Sequence, residues 1–171
     1  MQNSRIRLRP WREEDAERLF ELASDPEIGF MGGWQPHSSV SESRKIIQDV
    51  FINPTTWAVE LKASDTIIGA IGYGPSCDCS LPARENEPTV GYWIGKPYWG
   101  QGFCTEALRM MIETVRNTTD IKSLISGHFA DNLASGRVME KCGFKATGET
   151  MFDNDSYAGK DRPIRVLRLD L

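Results

Sequence analysis

The chain has 171 residues, a net charge of −4, and 40% hydrophobic against 26% charged residues, the balance of one ordinary globular domain. A chain this long buries roughly 70% of its unfolded surface, so it needs no disulfide or metal staple. The acidic balance argues against a protein that coats nucleic acid. No apolar run approaches the roughly 18 residues of a membrane helix, and the start, Met1-Gln2-Asn3-Ser4-Arg5, lacks a signal-peptide core. A cytoplasmic enzyme or a small binding domain remains.

Of the four cysteines, Cys77 and Cys79 make a C-x-C pair, while Cys104 and Cys142 stand alone in helical patterns. His37 and His128 are isolated. A zinc site needs two ligand pairs at suitable spacing, so these read as reduced thiols with no metal.

Ile6 and Leu8 alternate with Arg7 and Arg9, a half-buried strand stopped by Pro10. Ala16, Leu19, Phe20 and Ala23 recur at helical spacing and predict a helix over Glu13 to Ala23. Gly29 to Pro36, with Gly32, Gly33 and Trp34, reads as a loop. A second helix follows, with Ser39 and Glu42 as a capping box and Ile46, Ile47 and Val50 on its apolar face. Trp57 to Lys62 and Ile67 to Tyr73 predict an antiparallel hairpin turned at Ala63-Ser64-Asp65. Pro75 to Pro88 is a long polar loop, and Thr89 to Ile94 is a strand.

From Cys104, the positions Ala107, Leu108, Met111, Ile112 and Val115 make the strongest helical stripe in the chain. Ser123 to Phe129 reads as a strand and Leu133 to Cys142 as a helix ended by Gly143. Phe144 to Gly148 and Ile164 to Leu169 close the order β-α-α-β-β-β-α-β-α-β-β, an α+β fold on a mixed, largely antiparallel sheet.

The chemistry concentrates at Trp99-Gly100-Gln101-Gly102-Phe103-Cys104-Thr105, between a strand and that strongest helix. A glycine turn there aims free backbone amides at one point, at the positive end of the helix dipole, which is a site for a phosphate or pyrophosphate. A tight connection without a ligand is the plain alternative. A dinucleotide fingerprint fails, because its third glycine is Thr105 and Asp120 lies before the next strand rather than at its end. A nucleotide-triphosphate loop fails because no Lys-Ser or Lys-Thr follows Gly102.

The run Tyr98 to Ala107, with Asn132, Ser135 and Glu140-Lys141-Cys142-Gly143-Phe144 beyond it, resembles the GNAT superfamily of acetyl-CoA-dependent N-acetyltransferases. Leu8-Arg9-Pro10-Trp11 and Gly91-Tyr92-Trp93-Ile94 extend the likeness, which is greatest to the ribosomal-protein alanine N-acetyltransferase branch. The resemblance implies a single domain over 1–171, with a central V-shaped splay in the sheet and helices on both faces. It implies acetyl-CoA as cosubstrate, bound by Trp99, Gly100, Gln101, Gly102, Phe103, Cys104 and Thr105. Trp99 and Cys104 depart from the general motif of Arg or Gln, two residues, Gly, one residue, Gly or Ala. The strand Thr89 to Ile94 should carry a bulge and offer backbone groups near Trp93 and Ile94 to the pantetheine arm. Asn132 matches an asparagine that touches the coenzyme, and Ser135 a position that protonates the leaving thiolate. Dimers are common in the family, so a homodimer is among the expected assemblies.

Acetyl transfer needs a neutral amine, a polarised carbonyl and a proton for the sulfur. No cysteine has a histidine close in sequence, which favours direct attack in a ternary complex over an acyl-cysteine. For the base, His128 has a suitable intrinsic pKa, with a structural strand histidine as the alternative. Glu85 and Glu87 precede the thioester strand but sit in a polar loop, and Glu106 in the first helical turn fits a dipole role. Ser135 either touches the sulfur or bonds locally to the backbone. Trp34, Pro36 and His37 wall an acceptor pocket or pin a surface loop, and Tyr157 borders that pocket or decorates a hairpin tip. The acceptor is a protein N-terminus or a small amine. A non-catalytic acyl-CoA or amine-binding module is the other reading.

Overall fold

A computed structural model of the chain describes residues 4–75, 81–153, 157 and 161–171. The strands are β1 (Ile6–Pro10), β2 (Thr56–Leu61), β3 (Thr66–Gly74), β4 (Thr89–Ile94), β5 (Ser123–Phe129), β6 (Lys145–Asp153) and β7 (Arg162–Asp170). The helices are α1 (Ala16–Ala23), α2 (Pro26–Gly32), α3 (Val40–Ile46), α4 (Phe103–Thr118) and α5 (Leu133–Lys141). One seven-stranded sheet runs in the order β1-β2-β3-β4-β5-β7-β6. Every neighbouring pair is antiparallel except β4 and β5.

Strand periodicity divides the interior into two cores, since successive side chains point to opposite faces. Ile6, Val59, Ile68 and Ile71 pack on the α4 stripe of Phe103, Ala107, Leu108, Met111, Ile112 and Val115. Their sequence neighbours Ala58, Ile67 and Ala70 face the other way, onto Trp11, Leu19, Leu22 and Ile47. The helices therefore cover both faces.

Three local readings change. The first half of the segment read as a loop, Gly29 to Gly32, is the end of the helix α2. Asp25 caps it by accepting from Glu27 N (2.9 Å), Pro26 opens it, and Gly33 at φ 78° closes it. The glycines serve a close approach: a side chain on Gly32 would overlap the Trp34 indole, which folds back against the helix. The capping box of the next helix is displaced by one residue. Ser39 Oγ accepts from Glu42 N (3.1 Å), but the Glu42 carboxylate turns to Ser38 N and Oγ, both at 2.6 Å. Finally, the β3–β4 ladder runs from Gly69↔Ile94 to Gly74↔Thr89 without a break, so β4 carries no bulge there. The irregularity lies one strand away, between Val59 and Glu60 of β2.

The splay is present. β4 and β5 share the single pair Thr89↔Ile125 and then part.

Candidate active site

The opening between β4 and β5 leads into a cleft of about 1380 Å³. Trp93, Ile94, Trp99, Gly100, Gly102, Phe103, Cys104, Thr105, His128, Asn132 and Ser135 all line it, while Gln101 does not. Gln101 instead bonds outward, donating from Nε2 to Pro97 O (3.2 Å) and accepting at its carbonyl from Arg5 Nη2 (3.1 Å). Cys77 and Cys79 lie outside the described residues.

The glycine turn is shaped by backbone conformation rather than by crowding. Gly100 and Gly102 sit at φ 74° and 81°, the left-handed region that other residues enter at a cost. A side chain on Gly100 would meet nothing within 4 Å. No side chain caps α4, so the amides of Phe103, Cys104 and Thr105 point out of its first turn. Trp99 fastens the turn to β4, its indole Nε1 donating to Ile94 O (2.5 Å). On the outer side Glu106 is fully engaged. It accepts from Arg5 N (2.7 Å), Arg5 Nη2 (2.9 Å) and Ser4 Oγ (2.9 Å), and these bonds outweigh burial to hold its carboxyl below the usual range. Glu106 thus tethers the start of the chain to α4.

Ladder parity decides which β4 groups face the opening. Gly95 N donates to Ile68 O (2.7 Å), so in an antiparallel ladder Trp93 and Gly91 also turn their amides and carbonyls toward β3. Val90, Tyr92 and Ile94 turn theirs the other way. Ser126 Oγ takes Val90 O (2.9 Å) and Trp99 takes Ile94 O, as that parity requires. The amide of Ile94 and the backbone of Tyr92 are left at the opening. Trp93 contributes its indole, whose centroid lies 5.9 Å from that of Trp34.

Across the opening, Asn132 is the N-cap of α5, its Oδ1 accepting from Ser135 N (3.2 Å) while Nδ2 donates to Met31 O (3.3 Å). Ser135 Oγ lies 3.0 Å from the Tyr92 hydroxyl, which also reaches Ser135 O at 3.0 Å. Burial pushes the Tyr92 phenol up, so it keeps its proton at every physiological pH. Composition and spacing assigned Tyr92 no role, because its partner stands on an element the chain reaches only after α4 and β5. His128 Nδ1 donates to Phe129 O (2.8 Å), and its Nε2 edge packs on α5 so closely that a side chain on Gly136 would come within 2.7 Å.

The other base candidates lie away from the cleft. Glu85 and Glu87 do not line it. Burial alone would raise Glu87, but bonds from Arg168 Nε (2.7 Å) and Arg84 N (2.9 Å) leave its carboxyl below the ordinary range. Tyr157 is exposed and does not line the cleft either. His37 and Trp34 do line it, and Pro36 does not. His37 Nδ1 lies 2.8 Å from Ser43 Oγ, and burial holds the imidazole below its usual pKa against the opposing pull of Glu42.

Three cations were also missed. Arg137 and Lys141 stand one turn apart on α5 and line the cleft. Cys142 Sγ donates to Thr105 O (3.6 Å), which places this end of α5 beside the first turn of α4. Arg162 lies between the Phe30 and Phe129 rings, 4.1 and 3.8 Å from their centroids. It donates to Phe30 O (2.7 Å) and Asp131 (2.8 Å), pinning α2 to the β5–β7 pair.

A splayed mixed sheet with a glycine turn at the mouth of the splay and helices on both faces is an acyltransferase architecture. The Acetyltransferase (GNAT) domain matches residues 5–145, and the chain belongs to that family. It is 25% identical over 151 residues to an uncharacterized N-acetyltransferase, p20, of Bacillus licheniformis, covering 84% of this chain and 81% of that one. It is 23% identical over 135 residues to the ribosomal-protein-serine acetyltransferase of Escherichia coli K12, covering 75% and 73%. The solved structure of the microcin C7 self-immunity acetyltransferase, in complex with acetyl-CoA and AMP, superposes with a TM-score of 0.81 at 20% identity. That superposition covers 99% of this chain and 94% of the other. The resemblance to the ribosomal-protein branch therefore stands.

Proposed function

We propose that the protein transfers an acetyl group from acetyl-CoA to a primary amine, by direct attack in a ternary complex. One observation carries the reading: a single-pair contact between β4 and β5 opens a gap, with unpaired amides at both its strand edge and its helical mouth. Bound acetyl-CoA supplies the thioester, and the chain's own groups supply the rest.

In this reading the amides of Phe103, Cys104 and Thr105 hold the pyrophosphate, and glycine at 100 and 102 keeps the turn in the conformation that aims them. Arg137 and Lys141 add positive charge beside them. Gln101, turned outward, shapes the turn rather than touching the coenzyme. The Ile94 amide donates to the carbonyl oxygen as negative charge grows on it. The amine nitrogen bonds to the acetyl carbon, the carbon–sulfur bond breaks, the Ser135–Tyr92 hydroxyl pair delivers a proton to the sulfur, and the proton that the nitrogen gives up on becoming the amide restores the pair. Asn132 holds Ser135 in place through its cap and retains lone-pair capacity on Oδ1 toward the coenzyme. His128, packed beneath Gly136, positions α5. Cys104 does not carry the acetyl group, since burial pushes its thiol up to about 12 and suppresses the thiolate.

The names of the relatives support an amine as acceptor. Among the described residues that line the cleft there is no Asp or Glu to act as base, which is the observation favouring a non-catalytic binding module of the same fold. Mixing the protein with acetyl-CoA and an amine panel, and following thiol release with mass detection, separates the two. Release with at least one amine is expected. Tight CoA binding without release from any amine would establish the binding module.

A further inference from the structure

The cleft has two chemically different halves, and the half away from the glycine turn restricts the acceptor. Its walls are Trp34, Trp93, Phe51, Ile46 and Val50. The Trp34 ring sits 5.9 Å from Trp93 at 57° and 5.6 Å from His37 at 55°, a continuous tilted aromatic wall. The chain has 24 Asp and Glu residues, yet none lines the cleft among the described residues. Several carboxylates are held in ion pairs, Glu60 by Arg7 and Arg9, Asp15 by Arg9, Glu87 by Arg168 and Glu106 by Arg5, while Glu42 beside His37 bonds to Ser38.

Resting on the acetyltransferase reading above, we infer that the acceptor is a small monoamine on an aromatic or apolar body, and not a polycation. A polyamine or aminoglycoside entering this half would bury ammonium groups that do not react. Each would lose several kcal/mol of hydration without a carboxylate to offset it. A tryptophan face returns only about 0.5–2 kcal/mol of cation–π attraction. An aromatic body instead gains apolar burial and ring contacts against Trp34 and Trp93.

The same walls help the reaction. A single ammonium moved into an apolar pocket loses its proton more readily, because desolvation disfavours the charged form. His37, whose pKa burial lowers and whose Nδ1 lies 2.8 Å from Ser43 Oγ, stands in that wall.

The test compares tryptamine and 2-phenylethylamine with spermidine, an aminoglycoside and a short peptide with N-terminal Ala. Two readouts are kept apart: kcat/KM by thiol release with acetyl-CoA, and calorimetric binding of each amine to the CoA-loaded protein. Tryptamine is expected to exceed spermidine at least ~30-fold in both, about 2 kcal/mol. Trp34→Ala should lower the tryptamine value while leaving the KM for acetyl-CoA unchanged. Gln35→Glu, which places a carboxylate in the lining, should shift the ratio toward spermidine. Preference for spermidine, the aminoglycoside or the peptide in either readout overturns the inference and leaves the acetyltransferase reading standing. If CoA binds but no amine is acetylated, the transfer reading fails, and the binding order alone decides the acceptor class.

Discussion

The two halves of the cleft solve opposite electrostatic problems. The coenzyme half must attract a polyanion although the chain carries a net charge of −4. In the proposed reading it does so locally, with three helix-start amides and with Arg137 and Lys141, while Arg5 pairs with Glu106 just outside. The acceptor half holds tilted aromatic rings, one buried histidine and, among the described residues, no carboxylate. Fixed dipoles recruit charge in the first half. In the second, an apolar wall removes it from the amine. The hydroxyls of Tyr92 and Ser135 lie at the junction, where the bond to sulfur would break.

The contrast breaks first at the turn. Gly102→Glu forces a side chain at φ 81°, its Cβ on the side of Arg5 Nη2. A turn that shifts to relieve left-handed strain of ~1–2 kcal/mol loses its amide geometry, which predicts roughly 5- to 30-fold weaker CoA binding by calorimetry. Unchanged affinity would move the pyrophosphate elsewhere. At the junction, Tyr92→Phe removes one hydroxyl of the pair and should lower kcat ~10-fold, equivalent to one buried hydrogen bond. KM for acetyl-CoA should stay put; a KM change with intact kcat would make Tyr92 a binding group instead.

Arg162→Met tests the acceptor half alone. It frees Phe30 O and the α2 anchor, and Asp131 is exposed enough to tolerate losing its partner. Acceptor KM should rise ~5-fold, about 1 kcal/mol, with CoA affinity unaltered. Salt sharpens the comparison further. Raising ionic strength to 0.5 M should raise KM for acetyl-CoA by roughly 2- to 5-fold through screening, and leave KM for an aromatic amine almost unchanged.

The smallest effect concerns pH. Burial depresses the His37 pKa below its ordinary 6.5, with Glu42 opposing. The unfolded chain therefore binds more protons just below pH 6.5, and folding stability declines as pH falls through that window toward the folded value. In His37→Gln, the stability difference between pH 7.5 and pH 5.5, measured by urea unfolding, should shrink. An unchanged difference would mean that the wall histidine titrates as if free.

Much of this was legible along the chain wherever a repeat or a cap reports locally. The α4 stripe, the hairpin turned at Ala63-Ser64-Asp65, and the bounds of β4 and β5 agree with the structure. The stop at Gly143, φ 94°, does too. The helix α2 was obscured by its glycines, although Asp25-Pro26 is a start signal. Gly32 belongs there because of Trp34, and no helical propensity reports a tryptophan folding back. Arg137 and Lys141 were visible as an i,i+4 pair, but nothing local said which face of α5 meets the cleft.

The sequence by itself determined the order of the elements other than α2, the two-faced strands and a glycine turn at Gly100 and Gly102, because periodicity and glycine conformation act within a few residues. Only the tertiary structure decided that β4 leaves β5 after one pair and turns Ile94 rather than Trp93 into the gap. It alone set Tyr92 against Ser135 and, among the described residues, kept carboxylates from lining the cleft. These depend on ladder parity and on contacts between residues far apart in the chain, which no local pattern encodes.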